Sequence, residues 1–520
     1  MQIIVQAGGK GTRLEHLTHN RPKCLVSLHN KPLLFHLFDK YPNSRFVIIG
    51  DYKYDVLERY LATFAKHINY KLLRAEGEGN IRGIKEALDY ISPQEKLMLV
   101  WADLVLADDF KPETLPAGNY VGLLPGIRCA WRLEKGKLEK KASSTCGVAG
   151  CFIFNNKQAL EGVAQTGSFT QWLQKSGLQL TPLSMARCTL VGSAETLDKL
   201  EDIPFRCCPH HRIAFTEDTV KKEGILDKGR KLMERETAWY RKMAQYGYPQ
   251  IPEVYCYRPL TLQRIDGKNI SKHAFTEAQK TTVIRRLIAG LKQLHDYETR
   301  PADRDDLLQE YYTQIIEQLS ALQPVIPFAQ EPWITINGKK CKNPLVFKED
   351  FKAAVTQKLM DTVFAPIHGD CTFTHTLMDK SGAIYFIGAR GYFGKQEVFG
   401  DVRYDWAKLY HSMAGNLEGF RNRDFRLSIS NKAVVFHIAS SGWESLAPAL
   451  WTGLSPNFKA EIRLIHAILW LSLAARYRAD YDSMCLAFYS GVYLLQEFLP
   501  KSNGPAVETA LAAKPAKVVS

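Results

Sequence analysis

Glycine and basic residues lie close together near the start of the chain, in a pattern suited to holding phosphate groups. The apolar run Ile3 to Val5 predicts a buried strand, and the loop after it has almost no side-chain bulk. Glycine permits turns that aim successive N–H groups at one anion, and a helix after the loop would add its positive dipole end. Arg13 suits bidentate contact with phosphate, and Lys23 would act as a mobile point charge. The loop residues are Ala7, Gly8, Gly9, Lys10, Gly11 and Thr12.

A short glycine-rich stretch by itself also fits a surface turn with basic neighbours. Here the match is longer, and it consists of Gly8 to Arg13, Thr18, Arg21-Pro22-Lys23 and Lys31-Pro32. This set resembles the signature of the nucleotidyltransferases that make nucleoside-diphosphate sugars and related activated head groups. The resemblance implies that the loop and Arg13 hold the phosphates of an NTP. It also implies that Lys23 contacts phosphate at the reacting centre.

The elements that must position these residues alternate between strands and helices. Further strands are predicted at Arg45 to Gly50, Lys71 to Ala75 and Leu97 to Ala102, with helical spacing between them. This alternation predicts an α/β fold with a doubly wound, Rossmann-like sheet, in which ligands bind at the carboxyl ends of the strands. A second glycine turn with Gly79 and Asn80 falls at the same edge. The resemblance assigns such a turn to the base and sugar of the nucleotide, and a plain strand-to-helix connection is the alternative.

Asp103 follows the apolar run Leu97 to Ala102. A carboxylate at a strand end beside a triphosphate is placed to hold Mg²⁺, although an isolated Asp there more often caps a helix or turn. The resemblance supports the metal role, because the family has a matching metal-binding aspartate. Many members carry a second acidic residue just before a later glycine, and here Leu190 occupies that position in Leu190-Val191-Gly192. We therefore expect Asp103 to be the main protein ligand.

The acceptor side of the site is predicted from two further segments. Gly136 to Lys140 and the glycine-led strand Gly147 to Phe154 resemble the half of the family fold that lines the sugar-phosphate pocket. The resemblance makes Lys140 the candidate for the acceptor phosphate and Gly150 part of the pocket wall. A lysine on an exposed hairpin would look the same.

The order of predicted strands and helices changes after about residue 205. A hairpin at Ile213 to Lys222, a helix at Lys231 to Tyr246 and a strand pair at Tyr255 to Ile265 follow the order of a kinase small lobe. In such folds a strand lysine paired with a helix glutamate orients the ATP phosphates. Lys222 and Glu236 are the candidates for that pair, and solvated surface charges are the alternative.

A motif further along the chain strengthens this interpretation. Together with Phe386 to Gly394 and Gly400 to Ser412, the sequence Ile367-His368-Gly369-Asp370 resembles the aminoglycoside phosphotransferase and choline kinase family. The resemblance makes Asp370 the base that accepts the hydroxyl proton, and Asp405 the residue that braces the catalytic loop. His375 stands where the family has a metal-binding Asn, and Gly388 stands where it has a metal-binding Asp. A bilobal, kinase-like α+β domain with impaired metal binding is expected.

We thus expect a nucleotidyltransferase domain over residues 1–205, a kinase-like domain over 206–500 and a disordered tail over 501–520. The chain of 520 residues has 68 Lys and Arg against 54 Asp and Glu. That excess suits anionic substrates, but no basic run of the kind that grips nucleic acid is present. The cysteines follow no disulfide framework, and no apolar stretch spans a bilayer, so a cytoplasmic location is expected. The pattern is silent on oligomeric state.

The expected activity is transfer of NMP from an NTP to a sugar phosphate or similar small phosphorylated acceptor, with Mg²⁺ and with release of pyrophosphate. The resemblance places its product among activated precursors of envelope or capsule polysaccharide. Two alternatives remain open. One is a bifunctional enzyme that first phosphorylates an alcohol and then nucleotidylates it, and the other is a nucleotide-binding regulatory protein whose sites have decayed.

Overall fold

The computed structural model describes residues 1–75, 79–127, 129–141, 146–201 and 211–500. We call residues 1–201 the N-terminal part and residues 211–500 the C-terminal part. Two expectations from the sequence lie outside the described residues, namely the domain boundary at 205–206 and the tail 501–520. Among the helices described, none is both long enough and apolar enough to cross a membrane.

A seven-stranded sheet forms the centre of the N-terminal part. Four neighbouring strands run parallel, and Gln2–Gln6 lies between Leu97–Trp101 and Arg45–Gly50. The buried side chains of the first strand explain its central position, because Ile3 and Val5 enter one apolar cluster while Ile4 enters another. Both faces of the sheet are therefore covered. The strands lie in the spatial order Thr181–Ser184, Tyr120–Pro125, Cys146–Phe154, Leu97–Trp101, Gln2–Gln6, Arg45–Gly50 and Tyr70–Arg74.

The predicted strands of the parallel half are confirmed within one residue at their ends. The other half of the sheet departs from a purely parallel arrangement. Cys146–Phe154 runs antiparallel to both of its neighbours, and the described residues between it and Tyr120–Pro125 form a hairpin and no covering helix. The sheet is therefore mixed. The helices of this part are Leu33–Lys40, Tyr54–Phe64, Ile84–Leu88, Phe169–Lys175 and Ala194–Glu201.

Short elements complete the N-terminal part. They are the 3₁₀ turns Thr12–Thr18, Lys23–Leu25, Pro112–Thr114 and Lys157–Leu160, and the paired strands Ser27–Leu28 with Lys31–Pro32, Leu104–Val105 with Thr189–Leu190, and Arg132–Glu134 with Lys137–Glu139.

The C-terminal part begins with a four-stranded antiparallel sheet followed by mostly helical structure. The predicted hairpin and the predicted strand pair both lie in this sheet. Its strands are His211–Phe215, Thr219–Gly224, Val254–Tyr257 and Leu260–Gln263. The helices of this part are Leu226–Tyr246, Glu277–His295, Arg304–Leu308, Gln314–Leu322, Lys348–Leu359, Val402–Met413, Leu417–Arg421, Ala447–Leu450, Pro456–Arg476 and Tyr481–Leu495, with a π-helical turn at Gln309–Thr313 and 3₁₀ turns at Ile270–Lys272, Phe373–His375 and Glu444–Leu446.

Smaller sheets hold the loops of the C-terminal part. Their strands are Gly267–Asn269, Thr376–Asp379 and Ile384–Phe386; Arg300–Pro301, Val363–Pro366 and Phe399–Asp401; Tyr392–Phe393 and Gln396–Glu397; and Lys339–Lys342, Trp333–Ile336, Val434–Ile438 and Phe425–Ile429. One apolar cluster contains buried residues from both parts of the chain, so the two parts pack against each other.

Candidate active site

The glycine loop leaves the carboxyl end of the central strand Gln2–Gln6 and packs tightly against its neighbours. A Cβ on Gly8 would lie 2.9 Å from Cβ of Asp51, and Gly11 has φ of +63°. A Cβ on Gly11 would lie 3.1 Å from both Cβ of Lys23 and Cγ2 of Thr18. The absence of side chains at these two glycines therefore lets the loop close against Lys23. Ala7 is buried, whereas Gly9, Lys10, Thr12 and Arg13 are exposed.

The helix expected after the loop is only the 3₁₀ turn Thr12–Thr18, and its backbone is broken at Glu15, where φ is +52°. The dipole of such a short, interrupted element is small, so the expected contribution of a helix dipole is wrong. Loop amides and basic side chains must supply the anion-binding capacity.

Lys23 and Asp103 form an ion pair, which is the central contact of the site. Their side chains are 15% and 10% exposed. The pair forms because Asp103 follows the strand Leu97–Trp101, whose parallel neighbour Gln2–Gln6 leads into the loop that packs on Lys23. A cation and a carboxylate thus lie side by side at the carboxyl edge of the sheet, where charge is less screened than on the open surface.

Arg13 and Leu190 approach the same edge from the other side. A Cβ on Gly192 would lie 3.8 Å from Nη1 of Arg13, so the guanidinium lies along that backbone. Leu190 pairs in register with Leu104, and the N–H of Val191 donates to the Asp103 carbonyl at 2.9 Å. The segment in which the resemblance places a second acid for many family members thus lies beside Asp103, and this chain has a leucine there.

Gly79 and Asn80 also lie at this edge, and the structure gives both a packing role. Gly79 has φ of +88°, and a Cβ there would lie 2.0 Å from the carbonyl oxygen of Gly167. The Asn80 carbonyl accepts a hydrogen bond from the Gln6 amide, and its Oδ1 accepts one from the N–H of Phe169 at 2.9 Å. This turn is therefore fixed beside the end of the first strand. Its contact with a nucleotide stays a prediction.

The two acceptor-side candidates differ in their surroundings. Gly150 has φ of +74°, and a Cβ there would lie 2.1 Å from the Trp101 ring. Glycine is thus needed at this position so that Trp101, two residues before Asp103, can cover the neighbouring strand. Lys140 is exposed just beyond the hairpin strand Lys137–Glu139. Substrate contact by either residue stays a prediction.

The metal hypothesis can be tested against these residues. In the part of the chain that the structure describes, no group of three or more His, Cys, Asp or Glu is arranged to hold a metal ion. Mg²⁺ is often held by one or two carboxylates together with substrate phosphates rather than by a complete protein cage. One buried carboxylate beside a phosphate loop fits that mode. Asp103 is the residue that would hold the ion.

A second group of charged residues lies in the C-terminal part. Lys222, on the strand Thr219–Gly224, donates from Nζ to Oε1 and Oε2 of Glu236 at 2.5 and 2.7 Å. Glu236 lies on the helix Leu226–Tyr246 and is 4% exposed. The alternative of solvated surface charges is therefore wrong for this pair, since helix and sheet pack closely enough to bury it.

Asp405 braces the loop that carries Asp370. Its Oδ2 accepts the N–H of His368 at 2.8 Å, and its Oδ1 accepts the N–H of Gly369 at 2.7 Å. Burial raises the pKa of Asp405, but hydrogen bonding and charge from His295 outweigh it and the net shift is downward. Sequence reasoning missed His295, which lies 3.1 Å from Asp405 Oδ2. Its position at the end of the helix Glu277–His295 was the available signal.

Asp370 is held between two cationic or hydrogen-bonding side chains. Lys408 Nζ lies 3.0 Å from its Oδ1, and His375 Nδ1 lies 3.0 Å from its Oδ2. Burial raises the pKa of Asp370, but Lys408 and then His375 outweigh it and hold the pKa well below its usual range. A Cβ on Gly388, where φ is +66°, would lie 3.1 Å from Cδ2 of His375. The imidazole therefore occupies the space beside Gly388.

Sequence reasoning also missed Lys408, which lies one helical turn after Asp405 on the same face of Val402–Met413. That spacing was the signal that could have found it. Because Gly388 offers no side-chain ligand and His375 offers nitrogen where Mg²⁺ prefers oxygen, the described residues do not fit Mg²⁺ at this second site.

Three neutral histidines make the C-terminal part sensitive to acid. Burial lowers the pKa of His368 to about 4 and that of His466 to about 3, and it lowers the pKa of His411 well below the usual range. His411 lies against His466 and Trp470 and is also affected by Lys408, Arg421 and Asp370. Below about pH 6.5 the unfolded chain takes up a proton on each of these imidazoles, whereas the folded chain keeps them neutral until the pH approaches their lowered pKa values.

We therefore expect the stability that these neutral histidines contribute to be fully present above about pH 6.5. The free energy of unfolding should fall as the pH is lowered from 6.5 to 5. Each of these histidines would contribute about 1.4 kcal/mol per pH unit. The measurement is the free energy of unfolding of the full chain at pH 7, 6 and 5. The variant His411→Phe should reduce the slope of the free energy of unfolding against pH. Substitution of the exposed His437 by glutamine should leave this slope unchanged. Equal slopes in all three proteins would contradict the assignment.

The N-terminal part has the fold and charge arrangement of an enzyme that handles nucleoside triphosphates. The family described as nucleotidyl transferase matches residues 2–115. A Bacillus subtilis protein named "Probable glucose-1-phosphate cytidylyltransferase" is 30% identical over 173 residues, which cover 32% of this chain and 68% of that relative. Through its N-terminal part, the chain belongs to the nucleotidyltransferase family.

Two other comparisons cover different shares of the matched proteins. The bifunctional protein GlmU of Methanocaldococcus jannaschii is 30% identical over 114 residues, which are 21% of this chain and only 27% of that relative. The solved structure of the inositol-1-phosphate CTP transferase from T. maritima is 18% identical, with a TM-score of 0.32, and the match covers 39% of this chain and 96% of that one.

Proposed function

We propose that the chain transfers a nucleoside monophosphate from an NTP to a small phosphorylated acceptor such as a sugar phosphate, with release of pyrophosphate. The observation that carries this proposal is the Lys23–Asp103 pair beside the glycine loop, at the carboxyl edge of the parallel strands. Membership of the nucleotidyltransferase family supports it. We also propose the domain boundaries expected from the sequence, residues 1–205 and 206–500.

In this reaction an oxygen of the acceptor phosphate attacks the α-phosphorus, and the bond from that phosphorus to the bridging oxygen breaks. Pyrophosphate leaves with the electron pair. No side-chain nucleophile is needed, because positioning and neutralisation of charge supply most of the catalysis. The loop amides and Arg13 would bind the phosphates, and Lys23 would stabilise the charge that develops on them. Mg²⁺, held by Asp103, would neutralise phosphate oxygens when bound.

The proposal is tested by measuring pyrophosphate release from the full chain. Five nucleotides, CTP, UTP, GTP, dTTP and ATP, are each combined with a panel of sugar 1-phosphates and other phosphorylated acceptors in Mg²⁺. At least one pair should give release that depends on both substrates. If no pair does, yet a nucleotide still raises the unfolding temperature, the regulatory alternative is favoured. The role in polysaccharide precursor synthesis rests on the sequence resemblance alone.

We propose further that the C-terminal part has a kinase-like arrangement with little or no phosphotransferase activity. Its support is the Lys222–Glu236 pair and the brace that Asp405 forms on the loop of Asp370. Kinase chemistry also requires Mg²⁺ on the ATP phosphates. His375 and Gly388, at the two metal-binding positions, offer no oxygen ligand from their side chains.

To test this, the full chain carrying Lys23→Gln, which removes the proposed nucleotidyl transfer, is assayed for ATP-dependent phosphorylation of small polyols and amino alcohols in Mg²⁺ and Mn²⁺. We expect no turnover above that of the same chain with Asp370→Asn. Turnover in Mg²⁺ that disappears with Asp370→Asn would restore the bifunctional alternative.

A reversion experiment would restore the family's two metal-binding side chains through His375→Asn and Gly388→Asp. Aspartate tolerates the positive φ of Gly388 better than most residues, but its Cβ would press on His375. Gly388→Asp alone should therefore destabilise the protein, and the double variant with His375→Asn should relieve the crowding.

A further inference from the structure

Asn20 joins the N-terminal part to a strand edge of the C-terminal part. Its Nδ2 donates to the carbonyl of Leu427 at 2.9 Å, and its Oδ1 accepts the N–H of Ile429 at 3.1 Å. The side-chain amide thus bonds to the strand Phe425–Ile429 as a neighbouring strand would. Asn20 Nδ2 also donates to Asp482 Oδ1 at 3.2 Å. Asn20 is 5% exposed, so these bonds are made away from water.

The next residue, Arg21, is buried even more completely, at 1% exposure. Its Nη1 lies 2.5 Å from Asp480 Oδ1 and 3.9 Å from Asp482 Oδ2, and its Nε donates to the Leu17 carbonyl at 3.0 Å. Asp480 also lies 2.9 Å from Arg423 and is the N-cap of the helix Tyr481–Leu495. Burial raises the pKa of Asp480, but Arg21 and then Arg423 outweigh it and the net shift is downward. Because a buried charge that loses its partners is strongly destabilising, these contacts hold the Arg21 guanidinium in one position.

This contact lies very close to the candidate catalytic lysine. Only Pro22, whose φ is −71°, separates Arg21 from Lys23, so the chain between them has little freedom. On the other side of Lys23, the N–H groups of Leu25 and Val26 donate to the carbonyls of Pro22 and Lys23, each at 3.0 Å. Any displacement of Arg21 would therefore move the turn that carries Lys23.

The same segment also contacts the glycine loop. Thr18 Oγ1 donates to the Gly11 carbonyl at 3.3 Å, and the Arg21 bond to Leu17 holds the residue just before Thr18. The C-terminal part thus acts on Lys23 and on the loop through one short stretch of chain.

We propose that Asn20 and Arg21 are positioning residues, through which the C-terminal part holds Lys23 in place for nucleotidyl transfer. The inference rests on the proposed function and goes beyond it, because it makes the first site depend on the second part of the chain. Small displacements of a catalytic group reduce the rate much more than they reduce binding. The expected signature is therefore a lower kcat with a nearly unchanged KM for the NTP.

A nearby contact between the two parts serves as a control, because it tests whether weakening the interface alone lowers kcat. Tyr60 donates its hydroxyl hydrogen to the Arg478 carbonyl at 2.7 Å, across the same interface. Tyr60 lies on the helix Tyr54–Phe64, near enough to Asp480 and Arg21 to interact with both electrostatically, but its hydroxyl bonds to Arg478 and not to the turn that carries Lys23. Phenylalanine removes this neutral hydroxyl and leaves the charges of the Arg21–Asp480 pair in place. Tyr60→Phe should weaken the interface without affecting kcat.

The experiment compares four full-chain variants with wild type, namely Arg21→Met, Asp480→Asn, their double variant and Tyr60→Phe. Asp480→Asn is the most informative, because asparagine keeps the helix cap and the substitution lies 459 positions from Arg21. It keeps the test valid if Arg21→Met fails to fold. Two quantities are measured: kcat and KM from pyrophosphate release, and hydrogen exchange of the Leu25 and Val26 amides.

We expect Asp480→Asn and Arg21→Met to lower kcat by about 10- to 100-fold, with KM for the NTP within about threefold of wild type. The kcat of the double variant should be no lower than that of the less active single variant, because both substitutions break the same contact between Arg21 and Asp480. Exchange of the two amides should accelerate in these variants and remain slow in Tyr60→Phe.

Two results would overturn the inference. If wild type is active and Asp480→Asn keeps its kcat within twofold, Arg21 does not position Lys23, while the proposed function stands. If wild type shows no pyrophosphate release, the proposed function fails and the exchange measurement decides the inference alone. Unchanged exchange in Asp480→Asn would then reject it, and faster exchange would support it.

Discussion

Replacing Lys23 with glutamine should lower pyrophosphate release by at least about 10²-fold while the protein stays folded. Loss of one preorganised charge at a reacting phosphoryl group commonly costs that much. Glutamine is preferable to alanine here, because Lys23 pairs with the largely buried Asp103 and its amide can still donate a hydrogen bond. The measurement is kcat/KM for the best NTP and acceptor, together with the unfolding temperature.

Arg13→Ala should produce a loss of similar size, since its exposed guanidinium lies at the same edge. Arg13→Lys should recover only part of the activity, because lysine keeps the charge but not the bidentate geometry. The exposed Lys85→Gln is the control and should behave as wild type. Near-native kcat/KM in Lys23→Gln would remove the basis for the assignment of the active site.

Asp103→Asn should abolish either the dependence of the reaction on Mg²⁺ or the reaction itself, with a loss on the order of 10²-fold at saturating metal. The physical reason is that Leu190, which pairs with Leu104 beside Asp103, has no carboxylate at the position where the resemblance places a second acid in many family members. Substitution by asparagine keeps the size of the side chain and removes the charge. The measurement is the initial rate as a function of Mg²⁺ concentration.

The matched control breaks another Lys–Asp pair of the same part of the chain. Asp39 pairs with Lys31, but its side chain is 56% exposed, so Asp39→Asn should leave the Mg²⁺ titration unchanged. A normal rate and an unchanged Mg²⁺ optimum in Asp103→Asn would reduce Asp103 to a structural partner of Lys23. In that case the unfolding temperature should fall even though activity persists.

Together these variants separate two contributions that the Lys23–Asp103 pair combines. If Lys23 stabilises charge in the reaction and Asp103 holds the metal ion, the two variants should respond differently to added Mg²⁺. Loss of Lys23 should lower the maximal rate at every metal concentration. Loss of Asp103 should change how the initial rate depends on the Mg²⁺ concentration.

Much of the local structure could be predicted from the sequence. The strands Gln2–Gln6, Arg45–Gly50 and Leu97–Trp101 were identified because short apolar runs suit a sheet covered on both faces. The glycine loop and Asp103 then followed from their positions directly after two of these strands. In the C-terminal part, Lys222 and Glu236 were identified from the order of strands and helices, and they do form a buried pair.

Other features required the folded chain. The antiparallel strand Cys146–Phe154, the 3₁₀ turn after the loop and the packing roles of Gly79 and Gly150 depend on neighbours that periodicity does not reveal. Lys408 had only its spacing from Asp405 on one helix, and His295 only its position at a helix end, to suggest a role, and both features are equally typical of surface residues.

The sequence by itself determined which segments form the four parallel strands, which loop has no side-chain bulk and which residues follow the strand ends, because these are properties of neighbours along the chain. The tertiary structure alone decided which charges become partners. Lys23 meets Asp103 across 80 residues, Arg21 meets Asp480 across 459, and Asp370 is enclosed by Lys408 and His375. The reason is physical: the strength of a charge pair is set by distance and by loss of water, and both are fixed only when distant segments pack together.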